Sequence, residues 1–230
     1  RDSTKSFAAN LDQVLVLVAA EPAFSLSQVA RALIAAQHAG IPALIALNKQ
    51  DLHEPFEKAW QRLAPYRTWG IPVLPLGLRH QEQGLAELKA ALAQRVTLVL
   101  GPSGAGKSTL INRLVPEAHA ATNIISKALQ SGKHTTTSTT WYWMDQAHSA
   151  ALMDSPGFQE FGLRHIAAPE LAACMPDIGA HSDHCKFHNC SHVHEPDCGV
   201  RTALSQGLID EGRYKIYTQL FEELSAAAPY

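Results

Sequence analysis

The stretch that most constrains the fold of this chain runs from residue 101 to residue 109. It has the spacing Gly-x-x-x-x-Gly-Lys-Ser of a phosphate-binding loop, and an apolar, β-prone run over residues 96–100 leads into it. In such a loop the backbone N–H groups turn inward around phosphates, and the following helix points its positive N-terminus at them. A chance glycine-rich turn is the alternative. The pattern predicts a nucleoside triphosphate site formed by Gly101, Pro102, Ser103, Gly104, Ala105, Gly106, Lys107, Ser108 and Thr109.

A second motif, Asn48-Lys49-x-Asp51, follows an apolar run that has the composition of a buried parallel strand. The Asp51 carboxylate is suited to guanine, because it can accept hydrogen bonds from N1–H and the N2 amino group together, whereas adenine has no donor at either place. We expect Asn48 to touch the base edge or to brace the phosphate loop, and the Lys49 stem to pack along the base face. A helix-capping aspartate is the alternative interpretation.

The pair Gly77-Leu78 follows a third strand-like run over residues 71–76. GTPases usually carry a Ser-Ala pair at this position, and its backbone contacts the guanine oxygen. A backbone N–H contact does not depend on the side chains, so we predict that Gly77 and Leu78 also belong to the nucleotide site.

Two further segments are predicted to hold Mg²⁺ and to sense the γ-phosphate. In Asp154-Ser-Pro-Gly157, Asp154 would hold the ion through water and the Gly157 N–H would contact the phosphate, the alternative being a simple β-turn. Lys107 would neutralise phosphate charge, and the Ser108 hydroxyl would bind the ion directly. The threonine-rich segment between residues 132 and 140 is predicted to supply a third ligand of the Mg²⁺ ion. We select Thr136 for this role over its neighbours Thr135 and Thr137. An ordinary β-prone edge strand is the alternative interpretation of this segment.

These motifs occur in an unusual order, because the guanine motif precedes the phosphate loop, whereas in ordinary GTPases it follows the Asp-x-x-Gly element. A fold tolerates such a shift when its original ends lie close together, so the chain is predicted to be a circularly permuted GTPase.

Phe158 stands where many GTPases have a glutamine that orients water, and an apolar side chain cannot do so. We therefore expect slow intrinsic turnover, with His134 as a candidate catalytic group or a loop histidine without such a role.

The C-terminal part of the sequence contains three cysteines within fourteen residues, from 185 to 198, among several histidines. Three thiolates and one imidazole form the ligand set of a closed structural zinc site, which leaves no open position for catalysis. We predict Zn²⁺ coordination by Cys185, Cys190, His192 and Cys198. His194 is the main alternative to His192, and the further substitutes are His181, His184 and His188; unligated reduced thiols are the other possibility.

The composition is that of an ordinary globular protein, with 46% apolar and 17% charged residues and a net charge of −2. We predict a GTPase domain over residues 1–162 and a small helical zinc domain over residues 163–230. Clustered cysteines and the lack of a signal segment or a membrane span favour a cytoplasmic protein. We expect it to be a monomer without a membrane partner.

Taken together, the motif order and the spacing Cys-x-x-x-x-Cys-x-His-x-x-x-x-x-Cys resemble the ribosome small-subunit-dependent GTPase family (RsgA, also called YjeQ) over residues 11–225. The resemblance implies an α/β fold in which a permuted phosphate-loop GTPase domain, with a mostly parallel sheet flanked by helices, precedes the zinc domain. It implies GTP and Mg²⁺ binding, hydrolysis stimulated by the small (30S) ribosomal subunit in its late maturation, and contact with its rRNA. It also favours His192 over His194.

This chain departs from the family in two respects that bear on function. Family members carry an N-terminal OB-fold domain that contacts ribosomal RNA, so we expect this chain to be either trimmed or a shortened relative. The C-terminal part is acidic, although an RNA-facing surface favours Lys and Arg. Two other functions therefore remain open: a permuted GTPase with another assembly or signalling target, and a zinc-containing RNA- or protein-binding module that binds GTP with little turnover.

Overall fold

The computed structural model describes residues 10–79, 83–118, 139–155, 158 and 162–226. Within these ranges the chain forms two compact units, one from residues 10–28 and 41–158 and the other from residues 29–40 and 162–226. The predicted domain division at residues 162 and 163 stays a prediction. Among the described residues, no helix is both long and apolar enough to cross a membrane.

The first unit is built on a six-stranded sheet whose order is β3-β2-β1-β4-β6-β5. All neighbouring strands are parallel except β5 and β6, which pair antiparallel. The strands are β1 (Gln13–Ala19), β2 (Ala43–Asn48), β3 (Val73–Pro75), β4 (Val96–Leu100), β5 (Thr140–Trp143) and β6 (Ala151–Asp154). The helices described between β1 and β5 along the chain are α1 (Leu26–His38), α2 (Glu54–Arg62), α3 (Ala64–Thr68), α4 (Leu85–Leu92) and α5 (Lys107–Leu114), of which α1 lies mostly in the second unit. The predicted α/β class with a mostly parallel sheet is confirmed.

Strand β1 lies in the interior of the sheet, and all seven of its residues are buried. It pairs with β2 on one side and with β4 on the other, which explains its continuous apolar sequence. Ala19 is in register with Asn48, and Val16 is in register with Leu100. The carboxyl ends of these parallel strands therefore lie at one edge of the sheet, where open α/β folds bind ligands.

Glycine at position 101 is required by the close approach of the phosphate loop to β1. A Cβ atom on Gly101 would lie 2.5 Å from the carbonyl oxygen of Leu17, a distance that real Cβ atoms do not adopt. The loop can therefore leave β4 along the neighbouring strand only if this residue lacks a side chain.

We expect the Gly101→Ala substitution to lower the free energy of unfolding by about 1–3 kcal/mol, because the added methyl group forces β1 and the loop apart. Urea unfolding followed by circular dichroism measures the change. Gly162→Ala is the matched control, since a Cβ atom there has no neighbour within 4 Å. Equal effects of the two substitutions would contradict the steric explanation.

The second unit is helical, as predicted, and contains α6 (Pro176–Gly179), α7 (Gly199–Ser205), α8 (Glu211–Ala226) and residues 29–38 of α1. Its apolar core includes Leu171, Met175, Ile178, Val200, Tyr217 and Leu220. The buried Arg213 donates two hydrogen bonds to the Asp177 carboxylate, at 2.8 and 3.1 Å, so α8 and α6 are joined by a bidentate ion pair. Arg31 of α1 forms a further ion pair with Glu223 of α8.

Candidate functional site

The phosphate loop connects β4 to α5, and its lysine lies against the end of β6. The Lys107 ammonium group is 2.6 Å from Asp154 Oδ1 and donates a hydrogen bond to the Ser155 carbonyl at 3.0 Å. Asp154 is in register with Val99, two residues before the loop begins. The cation predicted to bind phosphate and the carboxylate predicted to hold Mg²⁺ are thus brought side by side, although 46 residues separate them.

The remaining residues of the loop take positions that fit a phosphate cradle. Gly104 and Gly106 have φ values of +83° and +100°, which favour glycine, and Gly106 directly precedes α5. Ala105 is buried, whereas Ser103 and Gly104 are exposed. Gly101 and Pro102 are partly exposed at the start of the loop, and Ser108 and Thr109 are partly exposed in the first turn of α5.

Asn48, at the end of β2, joins the phosphate loop to the loop that contains Gly77 and Leu78 (the guanine loop). Its side chain is only 4% exposed. Its Nδ2 donates to the Ala105 carbonyl at 3.0 Å, and its Oδ1 accepts a hydrogen bond from the Leu78 N–H at 3.3 Å. Of the two roles predicted from the sequence, these hydrogen bonds correspond to the one in which Asn48 braces the phosphate loop.

Lys49 and Asp51 lie just beyond Asn48. Lys49 adopts a left-handed backbone conformation, with φ of 68°, and its ammonium group donates to the Glu21 carbonyl. Asp51 lies in a short 3-10 turn, Gln50–Leu52, and is exposed. The Gln50 N–H donates to the Leu76 carbonyl at 2.9 Å, so this turn is anchored to the segment that precedes Gly77.

Gly77 and Leu78 lie beside Asn48, but both of their N–H groups already have protein partners. The Gly77 N–H donates to the Gln83 carbonyl at 3.0 Å, and the Leu78 N–H donates to Asn48. The Leu78 side chain is buried in the apolar cluster that also contains Leu76 and Leu110. The two predicted backbone donors are therefore used in holding the shape of the loop, and the place of Gly77 and Leu78 in the nucleotide site stays a prediction.

Several predicted site residues lie outside the described residues: His134, Thr136 with its alternatives Thr135 and Thr137, and Gly157. Their proposed roles stay predictions. Phe158 is described, and its side chain is 3% exposed. A buried apolar ring at this position agrees with the expectation that Phe158 does not orient a water molecule.

The zinc ligands predicted in the second unit come together in one cluster. The ligand atoms of Cys185, Cys190, His192 and Cys198 all lie within 4.8 Å of one another. The Cys185 and Cys198 sulfurs are 3.8 Å apart, and His192 Nδ1 lies 3.4 and 3.6 Å from them. In a tetrahedron with Zn–S bonds of about 2.3 Å, two sulfurs lie about 3.8 Å apart. The four residues are therefore positioned to bind one zinc ion, and His192, not His194, completes the set.

Neighbouring groups orient these ligands. Ser182 Oγ lies 3.2 Å from His192 Nε2, and the Gly199 and Arg201 N–H groups donate to the Cys185 and Cys198 sulfurs. Such contacts fix the imidazole and stabilise thiolate charge. Burial lowers the pKa of His192, which favours the neutral imidazole that a metal requires. Burial raises the pKa of the Cys190 thiol, so a metal that takes this thiolate displaces a proton.

The segment around His192 is held by residues that the sequence analysis did not single out. The hydroxyl groups of Tyr214 and Tyr217 donate to the carbonyls of His192 and Ser191, at 2.7 and 2.8 Å. Burial opposes ionisation of Glu195, but hydrogen bonds from the Ser191 N–H and hydroxyl and from the N–H groups of Glu195 and His194 together outweigh it and lower the Glu195 pKa to about 2. Neither the tyrosines of α8 nor Ser182 carried a motif, so only the folded structure reveals these contacts.

The two candidate histidines give a direct test of the zinc site. We expect His192→Ala to weaken zinc binding by at least about tenfold, since it removes one of four ligands. His194→Ala is the matched control and is expected to leave the affinity unchanged, because His194 is not part of the cluster. Elemental analysis and competition with a chelating dye measure the zinc content and the affinity. Loss of zinc from His194→Ala alone would contradict the assignment.

Comparison with known proteins places these sites in context. Residues 1–164 match the model of a family described as RsgA GTPase. A protein of Variovorax paradoxus named small ribosomal subunit biogenesis GTPase RsgA is 62% identical over 227 residues, which span 96% of this chain and 71% of that protein. A protein of the same name from Bordetella pertussis is 46% identical over 226 residues, 98% of this chain and 75% of that protein.

Two solved structures are similar to this chain over 96% of its length. The crystal structure of YjeQ from Thermotoga maritima has a TM-score of 0.76 and 29% sequence identity, and the match covers 74% of that chain. The structure of YloQ, described as a circularly permuted GTPase, has a TM-score of 0.75 and 26% identity, with 70% of that chain covered. The circular permutation predicted from the motif order is thereby confirmed.

Proposed function

Because the chain belongs to the RsgA GTPase family, we propose that it hydrolyses GTP in the late maturation of the small ribosomal subunit and that the subunit stimulates this hydrolysis. The observation that carries the hydrolytic part is the convergence of three motifs at one edge of the sheet. Lys107 lies beside Asp154, and Asn48 connects the phosphate loop to the segment at residues 77–78.

We propose that the phosphate loop, residues 101–109, holds the β- and γ-phosphates through its N–H groups and the Lys107 ammonium group. Mg²⁺, when bound, would neutralise charge that develops on the phosphates. Ser108 and Asp154 would hold the ion together with Thr136, and Gly157 would contact the γ-phosphate. The short distance between Lys107 and Asp154 supports this arrangement, because both groups must reach the same triphosphate.

Phe158 supports the proposal that turnover depends on a partner. Its ring is buried and has no group that can hydrogen-bond to water. The water molecule must therefore be oriented by another group, for which His134 is a candidate, or by the subunit. We propose slow hydrolysis by the protein alone for this reason.

The partner proposal rests on the names of the relatives, which describe GTPases of small ribosomal subunit biogenesis. We propose that this protein contacts the subunit and its rRNA, acts in the cytoplasm and is a monomer. The 62% identity to one such relative over 96% of this chain supports a shared role.

We propose guanine selectivity through Asp51, and its carboxylate gives a direct test. Asp51→Asn is expected to weaken GTP binding about 100-fold or more, because the amide cannot accept hydrogen bonds from both guanine donors. Binding of xanthosine triphosphate should improve, since its C2 oxygen can accept a hydrogen bond from the amide. Fluorescence titration measures both affinities. Glu54→Gln, the same chemical change at an exposed position of α2, is the control, and equal losses in the two variants would contradict the role of Asp51.

The full proposal is tested by GTP hydrolysis with and without purified small subunits. We expect subunits to raise the rate by at least about tenfold, because groups supplied by a partner accelerate phosphoryl transfer strongly. Lys107→Ala should abolish this stimulated rate, whereas Lys89→Ala, an exposed change on α4, should leave it intact.

Release of phosphate measures the rates, and the 50S subunit serves as the control particle. Equal rates with and without small subunits would contradict the proposed partner while leaving GTP binding in place. Hydrolysis of ATP at the rate of GTP would contradict the proposed substrate.

A further inference from the structure

The backbone donors of the guanine loop are arranged differently from what its sequence implies. The N–H groups of Gly77 and Leu78 donate to the Gln83 carbonyl and to Asn48 Oδ1, at 3.0 and 3.3 Å. A donor that already serves a protein acceptor gains little from a second one. The next backbone donor along the loop is the N–H of Arg79.

A side chain from another element holds the peptide group that contains this N–H. Arg113, on α5, donates from Nη2 to the Leu78 carbonyl at 3.4 Å. The bond between Leu78 and Arg79 is a trans peptide, in which the C=O and the N–H point in opposite directions. The orientation of the Leu78 carbonyl toward Arg113 therefore directs the Arg79 N–H away from the Arg113 guanidinium group.

The loop is thus fixed at two successive peptide groups. Asn48 accepts a hydrogen bond from the N–H of Leu78, Arg113 donates one to its C=O, and the Leu78 side chain is anchored in the buried apolar cluster. Arg113 and Lys107 lie on the same helix, so this contact also connects the end of the phosphate-binding helix to the guanine loop.

We propose that Arg113 is a positioning residue, which orients the Leu78–Arg79 peptide so that the Arg79 N–H donates a hydrogen bond to the exocyclic oxygen of guanine. This inference rests on the proposed guanine selectivity. Gly77 has no side chain to stabilise the loop, and Arg113 provides a contact from outside it.

The inference is tested with nucleotides that differ at single base positions. The probes are GDP, inosine diphosphate, which keeps the oxygen but lacks the N2 amino group, and 6-thio-GDP, which keeps both donors to Asp51 but replaces the oxygen by sulfur, a weak acceptor. Calorimetric titration gives their affinities for the wild-type protein, Arg113→Met and Arg113→Lys. Arg67→Met is the matched control, because Arg67 also donates to a backbone carbonyl, that of Trp60.

We expect Arg113→Met to weaken the binding of GDP and of inosine diphosphate by the same factor. The expected loss of affinity is about three- to tenfold, which corresponds to one partly exposed hydrogen bond. The affinity for 6-thio-GDP should change less than twofold, and Arg113→Lys, which keeps a cationic donor, should retain more GDP affinity than Arg113→Met. Arg67→Met should leave all three affinities unchanged.

Two results would overturn the role of Arg113: an equal loss for all three nucleotides, which indicates a general structural effect, or no loss for any of them. A lysine variant no better than the methionine variant would also count against it. Failure of the proposed function would look different, because the wild-type protein would then bind GDP no more tightly than ADP.

Discussion

The parallel pairing of β1 with both β2 and β4 is the constraint on which the nucleotide site depends. Strand β2 carries the Asn-Lys-x-Asp motif at its end, β4 leads into the phosphate loop, and β1 lies between the two strands in the sheet. Because parallel strands end at the same edge, β1 brings the two motifs together across an interval of about fifty residues. Strand β6 contributes in the same way, because its parallel pairing with β4 places Asp154 beside Lys107. The order of the motifs along the chain therefore has little effect on the site that they form.

Much of this architecture could be predicted from local sequence patterns. The apolar runs that become β1, β2 and β4 can be recognised because both faces of a central parallel strand are buried. The four zinc ligands could be found because a metal dictates both the type and the spacing of its ligands. The partners of individual polar groups could not be predicted in the same way. The sequence allowed Asn48 either of two roles, and only the folded chain brings Ala105 and Leu78 to its amide. Ser182, Tyr214 and Arg113 carry no motif, because their partners are chosen by tertiary packing.

The two units are stabilised by different means. In the first, the sheet supplies a large apolar core, and the polar site is placed at its edge. The second is small and helical, and around its zinc ligands the backbone is held by tyrosine hydroxyls and the hydrogen bonds of Glu195. A buried ion pair between Arg213 and Asp177 joins its helices α8 and α6. Metal binding there is coupled to folding, because the ligands must meet before the ion can stabilise the unit.

The contact between Asn48 and Gly106 limits how this site can change. A Cβ atom on Gly106 would lie 2.4 Å from Asn48 Nδ2. The last glycine of the phosphate loop therefore packs directly against the first residue of the guanine motif. Because Asp51 is exposed, a substitution there can alter the proposed base preference without disturbing the contact between Gly106 and Asn48. Enlarging Gly106 would force the amide out of position. The proposed contacts to phosphate and to base are therefore separable at Asp51, at the end of the motif, and linked sterically at Asn48, at its start.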